Sequence, residues 1–226
     1  GEEDYSVQAR AAIRYAFHIN HGALFIMIYE NTPQLETERL ILRKLTDTPD
    51  DMNAMFAILR DQETNTFLPW FPAKDMTDAR RHAKERYFDL YTAPSAYRYV
   101  ICLKSDNIPI GYVGLSDGDS HDFGYGLHSG FWHQGIITEA AKAAVERIRN
   151  AGYLYITATH DVNNPRSGKV MKKLGMKYCY SYIEQCMPKN ITVTFRMYQL
   201  NFDHDQGRVY KGYRDKYATH FIEENV

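Results

Sequence analysis

The stretch FGYGLHSGFWHQGIITEA, Phe123 to Ala140, decides how this chain is read. It starts β-rich, passes through a loop holding Gly130 and Gly135, and enters a helix that runs to Asn150. Ile137, Ala141, Ala144, Val145 and Ile148 keep a helical period along it. A helix start leaves about four backbone N–H groups unpaired and carries roughly half a unit of positive charge. Gly135 has no side chain, so an anion can approach that backbone closely, and no lysine or arginine is needed to hold phosphate. None lies between Leu127 and Glu139. Glycine spacing alone favours a plain crossover in which the glycines only turn the chain. No Gly-Lys-Ser/Thr follows, and no G-x-G-x-x-G fingerprint stands here.

Outward from this stretch the chain is regular. Upstream, Tyr97–Leu103 and Ile110–Leu115 read as a hairpin turned at Asn107-Ile108-Pro109, with His121–Leu127 as the next strand. Before them lie a strand at Leu40–Leu45 and two helices. One is capped by Asp47 or Thr48 with Pro49 in its first turn; the other is opened by Asp75 or Thr77. Downstream, Gly152 closes the long helix and Tyr153–Thr159 is a strand. Asn164-Pro165 opens a short helix to Leu174, and Met176–Glu184 with Ile191–Leu200 make a final antiparallel pair. The order β-α-α-β-β-β-α-β-α-β-β predicts an α+β or mixed α/β fold with helices on both faces of the sheet.

The ends look like appendages. Residues 1–30 are an N-terminal extension, with Val7, Ala11, Ala12, Tyr15 and Ile19 at the spacing of a helix over Tyr5–Tyr29. Residues 31–200 form the main domain and 201–226 a C-terminal extension, where Tyr210, Tyr213 and Tyr217 predict a helix packed on the domain or on a partner chain.

Composition excludes several classes. The 27 basic and 28 acidic residues give a net charge of -1, without the basic stripe of a nucleic-acid binder. The apolar run Ala23–Tyr29 is too short for a membrane span and lacks a leader's flanks. Cys102, Cys179 and Cys186 have neither zinc spacing nor an even count, which fits a reducing cytoplasm. No metal-ligand spacing appears among nine histidines.

Four blocks, in order, carry a resemblance. Leu35–Arg43 (LETERLILR), Ile110–Leu115 (IGYVGL), Gly124–Ala140 and Asn163–Met176 (NNPRSGKVMKKLGM) resemble the GNAT superfamily of N-acetyltransferases, RimJ/RimL-like branch. The resemblance spans about Leu35 to Leu200. It implies a mostly antiparallel twisted sheet of about seven strands, splayed between the fourth and fifth. It also implies acetyl-CoA as co-substrate, no metal, and a primary amine as acceptor: a protein N-terminus or a small molecule. Backbone amides of Trp132, His133, Gln134, Gly135, Ile136, Ile137 and Thr138 would hold the pyrophosphate. Tyr125, Gly126 and Leu127 would pair with the pantetheine arm, and Asn164 and Ser167 would sit near the sulfur.

Three positions depart from the pattern. His133 replaces a glycine, Ile137 a small residue, and Met171 the tyrosine that many such enzymes use as general acid. Ser167 is therefore the candidate acid. The acceptor must lose a proton before attack, and Glu139, His128, Asp117, His121 and Asp161 are the candidate bases. For Glu139, a first-turn charge favoured by the helix dipole is the weightier reading. Asn164 before Pro165 also reads as a simple N-cap. Arg166, Lys169 and Lys142 are candidates for the coenzyme's 3′-phosphate. The aromatic loop Phe67–Pro72 fits an acceptor wall, a homodimer contact or a core plug equally. The alternative to an enzyme is an inactive acetyl-CoA-binding or protein-interaction domain of the same fold.

Overall fold

The computed structural model describes residues 14–20 and 23–226, with side chains from residue 30 onward. Strands β1 (Arg14–Asn20) and β2 (Ala23–Tyr29) form an antiparallel hairpin. The expected N-terminal helix is therefore corrected over these residues; its earlier part lies outside the described residues. A continuous apolar run satisfies helical spacing as easily as strand spacing. Here the aromatic and β-branched content of ALFIMIY favours the strand.

Next come β3 (Leu35–Glu36), β4 (Leu40–Arg43) and α1 (Pro49–Arg60). Thr48 caps α1 by accepting from the Asp51 N–H, with Pro49 in the first turn. Asp51 is buried and takes both arms of the Arg43 guanidinium at 2.7 and 2.8 Å, which ties α1 to β4. Asp75 caps α2 (Met76–Ala83), which continues through a π-helical turn, Lys84–Phe88, into α3 (Asp89–Tyr91). Strands β5 (Tyr97–Leu103), β6 (Pro109–Leu115) and β7 (Phe123–Leu127) follow, then a 3-10 turn (Ser129–Phe131) and α4 (Ile136–Asn150). The chain ends with β8 (Tyr155–Asp161), α5 (Pro165–Lys173), β9 (Lys177–Cys186), β10 (Ile191–Asn201), α6 (Gly212–Lys216) and β11 (His220–Phe221).

Two antiparallel sheets result, ordered β3-β4-β5-β6-β7 and β11-β9-β10-β8. Strands β4 to β10 are the seven expected from the sequence. Strands β7 and β8 lie at facing edges and join only at one end, by a parallel bridge between Asp122 and Thr157. The Thr157 N–H donates to the His121 carbonyl there at 3.0 Å. Beyond that joint the strands part, so the splay falls between the fourth and fifth of the seven.

Each face of the first sheet is covered. On one, α4 buries Ile136, Ala140, Ala141, Ala144 and Ile148 against Leu40, Tyr99, Ile101 and Val113. On the other, Met52, Met55 and Ala79 of the first two helices pack on Val100 and Cys102. Small alanines on α4 let the helix approach the sheet closely, and the larger strand side chains fill the gap.

The C-terminal extension packs on its own domain. Tyr182 of β9 is sandwiched between Tyr213 and Tyr217, each stacked at 5.0 Å. The expected helix exists but is short. Beyond it β11 adds to the edge of β9, and Glu223 takes the Arg196 guanidinium in two bonds of 2.7 Å. Edge pairing and a charged clamp hold the segment where five helical residues alone would not.

Candidate active site

Strand β7 has three distinct sides. Its β6 edge is set by register: Ser116 N–H donates to Asp122 C=O, and His128 N–H donates to Ile110 C=O, each at 2.8 Å. Even-numbered residues therefore bond to β6, and by alternation the backbone groups of Tyr125 and Leu127 point to the opposite edge, into the wedge before β8. Side chains alternate too. Phe123, Tyr125 and Leu127 face the α4 core, whereas Asp122, Gly124 and Gly126 face the α1–α2 side.

At the mouth of the wedge the chain turns into α4. Gly135 is its N-cap with φ of 73°, a left-handed conformation natural to glycine. The first intrahelical bond runs from Glu139 N–H to Gly135 C=O, which leaves the Ile136, Ile137 and Thr138 amides without helical partners. His133, Gln134 and Gly135 are exposed, so this helix start is open to an incoming anion. His133 also has a left-handed backbone, φ 62°, where the family pattern carries glycine. Ile137 turns its bulk onto the core. Trp132 donates its indole N–H to the Leu127 carbonyl at 2.8 Å, and the Arg166 guanidinium lies 3.8 Å from the centre of its ring.

Glu139 is fully engaged. It accepts from Thr37 Oγ1 at 2.6 Å and from Arg39 backbone N–H and Nε at 3.0 and 2.7 Å. Arg39 Nη1 also donates to the Gln134 carbonyl at 2.9 Å. Burial alone would raise the Glu139 pKa, but the bonds from Thr37 and Arg39 prevail and hold it below the ordinary carboxylate value. A carboxylate so held is a poor proton acceptor. With Arg39 it braces the loop before α4.

The other candidate bases are likewise placed away from the chemistry or occupied. His128 Nδ1 accepts from Gly130 N–H at 3.1 Å, which builds the 3-10 turn. His121 packs between Tyr153 and Tyr155. Asp161 caps the turn at Asn163, and Asp117 is exposed.

Across the wedge, Ser167 sits in the first turn of α5. The Tyr125 hydroxyl donates to its carbonyl at 2.8 Å and lies 3.1 Å from its Oγ. Two hydroxyls therefore stand together on the α5 side. Asn164 is the N-cap residue of α5, yet its side chain makes no capping bond. Met171 is buried in the core.

Two residues on the α1–α2 side escaped the sequence reading. Asp122 sits at the β7–β8 joint with a buried, unpartnered Oδ1. Burial pushes its carboxyl up to about 6, against the pull of the Arg98 charge. Arg98 lies opposite Gly114, which lies opposite Gly124. The signal available in the sequence was the two-residue alternation Asp122-x-Gly124-x-Gly126, a carboxylate beside two side-chain-free positions on one strand face.

The same side has its own walls. Trp70 of the aromatic loop packs on His82 at 5.8 Å, with Arg86 over it at 5.5 Å, and its indole N–H is buried without a partner. The tip of the β9–β10 hairpin closes against this loop, where Lys189 Nζ donates to the Asn65 carbonyl at 2.9 Å. At the joint the Thr157 hydroxyl donates to the Ser120 carbonyl at 2.8 Å.

A splayed strand pair between two antiparallel sheets, with a helix start at its mouth, is the arrangement that the sequence resemblance implies. The chain belongs to the GNAT acetyltransferases: the family model described as acetyltransferase (GNAT) domain matches residues 39–177. No curated protein matches the chain in sequence. Among solved structures, a GNAT-family acetyltransferase from Bacillus anthracis is similar with a TM-score of 0.64 at 20% identity, covering 75% of this chain and 99% of its own. The microcin self-immunity acetyltransferase MccE, in complex with acetyl-CoA and AMP, gives a TM-score of 0.62 at 15% identity, with 73% and 93% covered. An acetyltransferase from Salmonella typhimurium that modifies the N-terminal serine of a 50S ribosomal subunit protein gives 0.63 at 17% identity, with 74% and 97% covered. These likenesses are of fold. No described helix is long and apolar enough to cross a membrane.

Proposed function

We propose that this chain is a RimJ/RimL-like N-acetyltransferase. It moves the acetyl group of acetyl-CoA to a primary amine, on a small molecule or a protein N-terminus, by direct attack in a ternary complex. The observation that carries this reading is the wedge itself. The backbone edge of Tyr125 and Leu127 faces an opening whose mouth holds the start of α4, reached through the exposed residues His133 to Gly135. An extended pantetheine arm fits the first as an added strand, and a pyrophosphate fits the second. The Glu139 charge, which would oppose phosphate, is neutralised by Arg39.

Acid and base then fall on opposite faces of β7. Asp122, on the α1–α2 side, takes the proton from the acceptor ammonium, and its raised pKa suits a base working near neutrality. The wedge-facing Tyr125 N–H, nearer to Asp122 along the strand than Leu127 is, meets the developing negative charge on the thioester oxygen. Ser167, beside the Tyr125 hydroxyl, returns a proton to the leaving thiolate. Cys102, Cys179 and Cys186 are free thiols, in keeping with a reducing compartment such as the cytoplasm.

Acetyl transfer over a panel of primary amines, with coenzyme release followed by a thiol reagent, tests this reading. Release that depends on an amine supports it. Coenzyme binding without turnover of any amine would replace it with the inactive-domain reading.

A further inference from the structure

The α1–α2 face of the first sheet holds a charge that nothing in the fold uses. Arg98 is the second residue of β5 and is half-buried. Among the described residues its guanidinium makes no hydrogen bond and no ion pair, and its Nε is buried without a partner. A half-buried guanidinium whose Nε is shut from water without a hydrogen-bond acceptor is costly. Elsewhere this chain pairs such groups carefully, as Arg43 with Asp51 and Arg196 with Glu223.

Glycines direct the Arg98 side chain. A Cβ on Gly114 would stand 3.1 Å from Arg98 Cδ and 3.2 Å from Nε, so the arm lies across the space that Gly114 leaves free. The next position in that row is Gly124, where an added Cβ would meet no atom within 4 Å. The row therefore runs from a cation, along a glycine floor, to an open spot on β7. Asp122 follows two residues along the same face, about 7 Å away by strand geometry. Tyr112, the next residue on that side of β6, lies over Gly126 and walls the open spot. His82 feels the Arg98 charge and is pushed by burial down to about 4, so it brings no competing cation at neutral pH.

We infer that Arg98 is the carboxylate-binding residue of the acceptor site, and that the acceptor is a small zwitterionic amine with its carboxylate on Arg98 and its amine toward Asp122. The inference rests on the acetyltransferase reading above and narrows its substrate class. One cation and one anion on the same sheet face, with an open floor at Gly124, match an amino acid in sign. A phosphate would set two negative charges beside Asp122 against one guanidinium. A polypeptide N-terminus offers Arg98 only a neutral amide.

The test compares free α-amino acids with their α-amides, in acetyl transfer and in equilibrium binding to the coenzyme A-saturated protein. The expected result is an amino acid favoured over its own amide by about 10- to 100-fold, the range of a charge-assisted hydrogen bond. Arg98→Met should remove that preference and change the amide less than about threefold. Arg98→Lys should restore part of it, and unchanged coenzyme affinity would report an intact fold. Amino acid and amide used alike, or lost alike in Arg98→Met, would overturn the inference, as would an absence of both binding and transfer. If amino acids bind through Arg98 but no amine is acetylated, the inference stands and the catalytic reading fails.

Discussion

Arg39 and Glu139, one hundred residues apart, meet at 2.7 Å, and the same arginine holds the carbonyl of Gln134 at 2.9 Å. The pair joins the start of β4 to the first turn of α4 and fixes the loop between His133 and Gly135. A residue that the sequence offered as a base is thereby a brace.

Glu139→Gln should act on stability and coenzyme affinity, not on proton transfer. The pair is partly exposed, 43% and 21%, so solvent screening limits the loss to about 1 kcal/mol, or a fall in Tm of about 2–4 °C. Thermal unfolding, with and without coenzyme, checks this. The pH profile of turnover should keep its shape, and a displaced acidic limb would return Glu139 to the catalytic list.

Asp122→Asn should lower turnover by at least about 100-fold while coenzyme binding holds. The sign of the pH effect follows from the raised pKa. The carboxylate form, which accepts the proton, declines as pH falls through about 6. Wild-type kcat/KM should therefore drop about tenfold per pH unit below that value. The residual rate of the variant should lack this limb. An unchanged limb in Asp122→Asn would assign the base elsewhere.

Ser167 and Tyr125 share one hydrogen-bonded corner, so their variants should not be additive. Ser167→Ala lowers kcat more than it weakens coenzyme binding, and Tyr125→Phe lowers kcat as well. The double variant should fall little below the worse single. Rates for the four proteins on one amine measure this, and an unaltered rate in Ser167→Ala would remove that hydroxyl from the mechanism.

His133 holds a left-handed backbone that costs an L-residue about 1–2 kcal/mol, while glycine's extra freedom in the unfolded chain costs about 0.5–1. His133→Gly should therefore leave stability level or raise it by up to ~1.5 kcal/mol, and it removes a side chain from the loop before α4. Denaturant unfolding reads the first effect. A loss of more than ~1 kcal/mol would mean that the imidazole makes a contact worth more than the strain.

The fold was legible from Leu35 onward because each element carried its own punctuation. Thr48-Pro49, Asp75 and Gly152 marked ends by local chemistry, and the alternating strands fell between them. In the N-terminal hairpin the run ALFIMIY is unbroken and shows no period, and Tyr15 and Ile19 of RYAFHIN fit a helical spacing as well as the two-residue alternation through Phe17. The proposed cofactor side is one contiguous stretch, Tyr125 to Thr138, and so stands out in the sequence. The acceptor side does not. Arg98, Gly114, Gly124 and Asp122 come from three strands, and only the register shows that they form one face. For Glu139 the sequence favours a first-turn charge over a base, but its partner Arg39 lies one hundred residues upstream and shows only in the fold.

Calorimetric titration of acetyl-CoA into the wild-type protein and into Gly135→Glu tests the central claim most directly. At φ 73°, Gly135 stands where a glutamate would set bulk and negative charge against the amides of Ile136 to Thr138. The account predicts one molecule bound per chain to the wild type and none to a folded Gly135→Glu. Absence of binding to the wild type at millimolar coenzyme, or equal affinity in both proteins, would contradict it.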